Sequence, residues 1–197
     1  IIGIKFEDDR LSSTSLLDHY DVLVYTTRFL VHCQLKLSYV AEKLMNFSLD
    51  QIFKKNLIYW IVDCVFGSNI AYILNSRNEV LIYDLNQQKV LTQIFGTQKC
   101  ILYSGKFLQC SHNGLVIASG TVFKTILLWS LEIKDNRSCY LRNIQSLNGH
   151  DGVIFGVDYN QSHNIIVSAS DDRTVRVWRS EKDLNCLKCI RFEVLGR

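Results

Sequence analysis

The chain has 197 residues, 48% of them hydrophobic, so it can bury a sizeable core and is excluded from the disordered class. Its net charge of +3 and pI near 8.5 are compatible with a nucleic acid or an acidic partner and fall far short of a polycation. Seven cysteines, an odd number without a secretory signal ahead of them, favour free thiols in a reducing compartment over a disulfide framework, and point to the cytosol or nucleus, of which the cytoplasm is the expected location.

Apolar runs are short, rich in Val, Ile, Leu, Tyr and Phe, and separated by polar or glycine-bearing breaks, which predicts an all-β chain. No stretch has the length of uncharged apolar residues that a membrane helix needs; the best, Leu57 to Phe66, is short and carries Asp63. The sequons at Asn46, Asn136 and Asn160 are at the level expected by chance and are discounted as signs of secretion.

In chain order, the first unit offers strands at Ile1 to Phe6, Val22 to Thr26, Phe29 to Leu35 and Val40 to Phe47. The second offers Leu57 to Phe66, Ile70 to Leu74, Val80 to Leu85 and Val90 to Phe95. The third offers Ile101 to Leu108, Leu115 to Ser119, Thr125 to Leu131 and Asn143 to Leu147; the fourth, Val153 to Tyr159, Ile165 to Ser170, Thr174 to Arg179 and Leu187 to Phe192. Each third strand holds a triplet, apolar except for Arg176, closed by a ring: Phe29-Leu30-Val31-His32, Val80-Leu81-Ile82-Tyr83, Ile126-Leu127-Leu128-Trp129 and Val175-Arg176-Val177-Trp178, roughly fifty residues apart. Tandem four-stranded units at this period predict a β-propeller, with blades at 1–50, 51–97, 98–149 and 150–197. An open stack of four would expose apolar faces at its ends, so further blades from a longer chain are expected to complete the propeller.

Gly149-His150, then Ser168-Ala169-Ser170-Asp171-Asp172, then Val175-Arg176-Val177-Trp178 resemble the WD40 family. The resemblance implies a WD40-type propeller in which His150, Ser168, Asp172 and Trp178 form one hydrogen-bonded chain. A buried imidazole, hydroxyl and indole each need a partner, and the Asp carboxylate supplies one. His, Ser and Asp together also suggest a hydrolase triad, but Ser168 lies mid-strand without nucleophile-elbow glycines, and only the structural reading uses Trp178. In the other units Thr26, Arg77 and Phe123 stand at the Asp position and only Ser119 keeps the hydroxyl, so these blades are expected to be held more by packing than by polar bonds.

Cys186-Leu187-Lys188-Cys189 has the spacing of a zinc or redox pair but lacks a second pair, and Cys33 beside His32 and Cys110 near His112 read as strand residues. No metal and no cofactor are expected, because no phosphate loop, dinucleotide fingerprint or paired-carboxylate motif appears. Aligning the units on their rings places Arg28, Arg77, Lys124 and Arg173 in or beside the turn between second and third strands. Hairpin turns are commonly polar; the alternative is an arc of positive charge that holds RNA phosphates. The strand aromatics are assigned to the core, leaving none for base stacking.

A narrower resemblance rests on Ile117-Ala118-Ser119-Gly120-Thr121-Val122-Phe123-Lys124-Thr125-Ile126-Leu127-Leu128-Trp129, Gly149-His150-Asp151-Gly152-Val153-Ile154-Phe155-Gly156-Val157 and Ser168-Ala169-Ser170-Asp171-Asp172-Arg173. These segments resemble a large WD-repeat family that partners the FtsJ-like tRNA 2′-O-methyltransferase. The resemblance covers about 60 residues, Ile117 to Trp178, and implies a non-catalytic scaffold subunit that binds tRNA and the methyltransferase during ribose methylation of the anticodon wobble nucleotide. The alternatives are a WD40 adaptor in another intracellular complex and an enzyme built on a propeller.

Overall fold

The computed structural model describes residues 3–6, 17–27, 29–40, 43–67, 69–96, 98–111, 114–135, 138–179 and 186–193. Its regular structure is all strand, arranged as four antiparallel four-stranded sheets. The first holds β1 (Gly3–Phe6), β2 (Leu17–Tyr25), β3 (Phe29–Val40) and β4 (Lys43–Asn56). The second holds β5 (Ile61–Gly67), β6 (Ile70–Asn75), β7 (Glu79–Asp84) and β8 (Lys89–Phe95). The third holds β9 (Leu102–Ser111), β10 (Gly114–Thr121), β11 (Ile126–Asp135) and β12 (Ser138–Leu147), and the fourth β13 (Ile154–Asn160), β14 (Ile165–Ser170), β15 (Thr174–Arg179) and β16 (Cys186–Arg191). Among the described residues there is no helix long and apolar enough to cross a membrane.

Within each sheet the strands pair in sequence order, so every blade is a meander. The first strands lie side by side, β1 against β5, β5 against β9 and β9 against β13, so the blades are arranged around these inner edges. Strands β2, β3 and β4 of the first blade are longer than the sequence expectation: β2 begins at Leu17, five residues before Val22. β3 runs to Val40, five residues past Leu35, and its pairing carries β4 on to Asn56 opposite Phe29, beyond the expected boundary at residue 50. The segment from Leu57 to Trp60 is then a connection, and β5 starts only at Ile61.

The cores lie between neighbouring blades, and period-two alternation assigns each residue to one of them. On β7, Leu81 and Tyr83 pack with Leu23, Leu30 and Ile73 in the cluster shared by blades one and two, while Val80 and Ile82 pack with Leu102, Ile117 and Trp129 in the cluster shared by blades two and three. On β11, Leu127 and Trp129 face blade two, whereas Ile126 and Leu128 join Ile154, Ile166 and Trp178 against blade four. Both faces of the middle blades are thus buried, which is why Val80 to Tyr83 and Ile126 to Trp129 are unbroken apolar runs.

Candidate nucleic-acid interface

Blade four brings His150, Ser168, Asp172 and Trp178 into one polar chain. His150 Nδ1 lies 2.9 Å from Asp172 Oδ2, His150 Nε2 lies 2.8 Å from Ser168 Oγ, and Trp178 Nε1 donates to the same Oγ at 2.8 Å. Every group is satisfied when His150 is neutral with its proton on Nδ1: the imidazole donates to Asp172, Ser168 donates to Nε2, and the hydroxyl oxygen accepts from the indole. Thr174 Oγ1 also donates to Asp172 Oδ1 (2.7 Å), and the N–H groups of Asp151 and Thr174 donate to the same carboxylate. Burial alone would raise the Asp172 pKa, but these bonds from Thr174, Asp151 and His150 outweigh it and hold the carboxyl well below the usual range. Ser168 is buried and committed to an imidazole and an indole, so the geometry is that of a structural brace.

Gly149 sets the approach to this chain. Its φ is +153°, and a Cβ there would lie 2.5 Å from Arg176 Nη1 and 3.3 Å from the Trp178 ring. At that φ an L side chain is strained, and its Cβ would also press the end of the flexible Arg176 side chain aside.

The degenerate blades are packed by large apolar clusters and carry buried polar bonds too, and these cross between blades. Trp129 Nε1 donates to Ser119 Oγ at 2.8 Å as in blade four, but the Ser119 hydroxyl donates at 2.7 Å to Oδ1 of Asn78, a residue of blade two. Asn78 Nδ2 donates in turn to the Gln98 carbonyl (3.0 Å), and the Gly96 N–H donates to the Asn78 carbonyl (2.7 Å). In the same way Tyr83 Oη of blade two lies 3.4 Å from His32 Nδ1 of blade one, and His32 Nε2 is 2.8 Å from Asp21 Oδ1. Along the inner strands, Lys5 pairs with Asp63 (3.1 Å) and Lys106 with Asp158 (3.0 Å), while the Phe107 N–H donates to Asp63 Oδ2 (3.0 Å).

The turns between second and third strands emerge at one end of the blades, beside the starts of β9 and β13. Lys124 and Arg173 occupy corresponding positions there, both exposed and both in the left-handed region (φ 67° and 63°). In blade two that backbone position is taken by Asn78 (φ 61°), so Arg77 sits one residue earlier, at the place of Asp172. The Arg77 guanidinium lies over the Tyr59 ring, 4.8 Å from its centroid, and donates to its hydroxyl at 2.6 Å. Arg28 lies outside the described residues.

The same end carries a row of rings that the sequence assigned to the core. Trp60, Tyr103 and Phe155 stand at the entrances to β5, β9 and β13, with centroids 6.2 Å apart for the first pair and 5.2 Å for the second. Tyr103 is 44% exposed and Phe155 54%, so solvent reaches both. Beside them a cavity of about 510 Å³ is lined by Trp60, Arg77, Lys99, Ile101 and Phe123, with no carboxylate. The signal available in the sequence was position for Tyr103 and Phe155, which lie near the start of their first strands; Trp60 fell inside the expected strand Leu57 to Phe66, and the structure puts it in the connection before β5.

Cys186 packs against the cluster containing Trp178, and its thiol lies 3.2 Å from the Lys188 carbonyl oxygen. Among the described residues no group of three or more His, Cys, Asp or Glu side chains is placed to hold a metal ion.

Residues 141–179 match the family model for the WD domain, G-beta repeat. The chain is 31% identical over 127 residues to the tRNA (34-2′-O)-methyltransferase regulator WDR6 of Homo sapiens, a match that covers 63% of the chain and 11% of that protein. It is 29% identical over 122 residues to the Drosophila melanogaster protein of the same name, covering 56% of the chain and 12% of the relative. The chain therefore spans about a ninth of the length of these relatives. Among solved structures, it is similar to a chain in the crystal structure of an active polycomb repressive complex 2 in the basal state. That match has a TM-score of 0.66 and 15% identity, over 91% of this chain and 37% of that one, and so bears on the fold alone. The four sheets have the architecture of β-propeller blades, and the WD repeat is matched at residues 141–179.

Proposed function

We propose that this chain is a non-catalytic scaffold: a set of WD40 blades that holds tRNA and an FtsJ-like 2′-O-methyltransferase together for ribose methylation of the anticodon wobble nucleotide, in the cytoplasm. The observation that carries the reading is the similarity over 127 residues to regulators of the tRNA (34-2′-O)-methyltransferase. The geometry supports it in two ways. His150 and Ser168, which have the side chains of a hydrolase, are spent on bracing blade four. Arg77, Lys124 and Arg173 stand on turns at one end of the blades, where phosphates can reach them without entering the fold.

The test uses the full-length protein. Copurification with the methyltransferase, together with loss of wobble ribose methylation when the gene is deleted, is the expected result. Recovery of only ubiquitin-ligase or vesicle-coat partners, with methylation intact, would replace the reading with that of a general adaptor.

A further inference from the structure

At the turn-bearing end of blades two to four, flat rings and unneutralised cations lie side by side. Trp60, Tyr103 and Phe155 follow one another along the inner rim, each on a different blade. Tyr103 and Phe155 are far more exposed than the rings of the strand interiors: Trp129, Trp178 and Tyr83 are at most 1% exposed. Next to the row, the cavity is lined by Arg77 and Lys99 and by the apolar faces of Ile101 and Phe123, which are 50% and 56% exposed. Among the described residues Lys99, Lys124 and Arg173 are in no ion pair within 4 Å, and Arg77 is held against Tyr59 by a neutral hydroxyl. The carboxylates exposed nearby, Asp151 and Asp171, belong to blade four, and in blade two the buried Glu79 carboxylate acts on Arg77 without pairing with it. By contrast the cations deeper along the inner strands, Lys5 and Lys106, are already neutralised by Asp63 and Asp158.

We propose that Trp60, Tyr103 and Phe155 form a stacking platform for unpaired bases of a single-stranded RNA loop, with Arg77 and Lys99 holding the adjoining phosphates. The proposal rests on the tRNA-binding reading above and adds the part of the RNA that is gripped. Single-stranded RNA is the polymer that alternates flat apolar faces with anions along one backbone, which is what rings beside unpaired cations match. A duplex presents the anions but keeps its bases stacked inward, so the rings would have nothing to meet. An acidic peptide would answer the cations but leave the row of rings without a repeating partner.

The test compares full-length wild type with a Tyr103→Leu, Phe155→Leu double variant. Leucine keeps these exposed positions apolar and removes the ring. The probes are an anticodon stem-loop RNA and a fully paired duplex of the same length. The double variant should bind the stem-loop at least about tenfold more weakly and the duplex as wild type does. The Tyr103→Phe variant should retain stem-loop binding. Ultraviolet crosslinking of the wild-type protein to a uridine-containing loop should label the peptides bearing Trp60, Tyr103 or Phe155, a readout independent of any substitution. If the leucine variant binds the stem-loop as wild type and no crosslink falls on these peptides, the platform is overturned while methyltransferase copurification leaves the scaffold reading standing. If the leucine variant keeps RNA but loses the methyltransferase, the row is a protein-docking face and the platform is equally overturned. If wild type binds neither RNA nor methyltransferase, both readings fall together.

Discussion

Ser119 of blade three donates its hydroxyl to Oδ1 of Asn78 in blade two at 2.7 Å, and both side chains are fully buried. The bond does in the third blade what the imidazole of His150 does in the fourth: it gives the serine that holds the tryptophan a second partner. Here that partner comes from the preceding blade. The polar chain thereby joins two blades, where the one in blade four stays within its own unit.

Ser119→Ala leaves the Trp129 indole N–H and the Asn78 side-chain Oδ1 buried without this partner, and should lower unfolding free energy by about 1–3 kcal/mol. Asn78→Gly removes the same side chain while tolerating the local φ of 61°, so it separates lost bonding from backbone strain; Asn78→Ala should be worse by about 1 kcal/mol. Urea denaturation of the single and double variants gives the coupling. Strictly additive losses would show that the two residues do not act on one another.

His150→Ala should cost about 1–3 kcal/mol by leaving the Ser168 hydroxyl and the Asp172 carboxylate short of partners. An unchanged melting temperature would contradict the bracing role. Gly149→Ala should also destabilise, because the added methyl meets Arg176 and Trp178 and the backbone is held at φ +153°.

Asp172 sets an acid limit. Its carboxyl is held below its unfolded value, so the stability it contributes is fully present above that value, about 3.9, and is lost as pH falls through the folded one. Wild type should therefore lose stability progressively below about pH 4 to 5, and Asp172→Asn should be less stable at neutral pH with a flatter profile across that window. Thermal melts from pH 3 to 7 give the comparison, and parallel curves would assign the acid sensitivity to another group.

The cation-bearing turns make a salt-dependence prediction. Replacing Arg28, Arg77, Lys124 and Arg173 with Ala should weaken RNA binding and flatten its dependence on salt, by about 0.7 in the logarithmic slope for each single-strand phosphate that the protein no longer neutralises. Unchanged affinity and slope would reduce the turns to a solvated rim.

Thiol reactivity should follow burial. Burial pushes the Cys100 thiol up to about 11 and raises that of Cys64 further, whereas Cys189 is exposed. Maleimide should label Cys189 in the native protein and reach Cys64 and Cys100 only on unfolding. Rapid native labelling of Cys64 would mean that the interface between blades one and two opens.

The number of blades, the order of their strands and the partners of the blade-four brace were legible in the sequence, because each depends on nearby residues. A strand declares itself by alternation, a turn by its own residues, and Gly149, His150, Ser168, Asp172 and Trp178 all lie within one unit. The reach of the first blade to Asn56 was less so: its boundary is set by the register of β4 on the unusually long β3. What only the tertiary structure decided lies between blades. Asn78 is 41 residues from Ser119, and nothing local distinguishes it from any other turn asparagine. Tyr103 and Phe155 read as core rings like Tyr83, since alternation states that a side chain faces one side of a sheet and leaves open what covers that side. The adjacent blade covers Tyr83, and at the starts of β9 and β13, where the sheets end, solvent meets the rings instead.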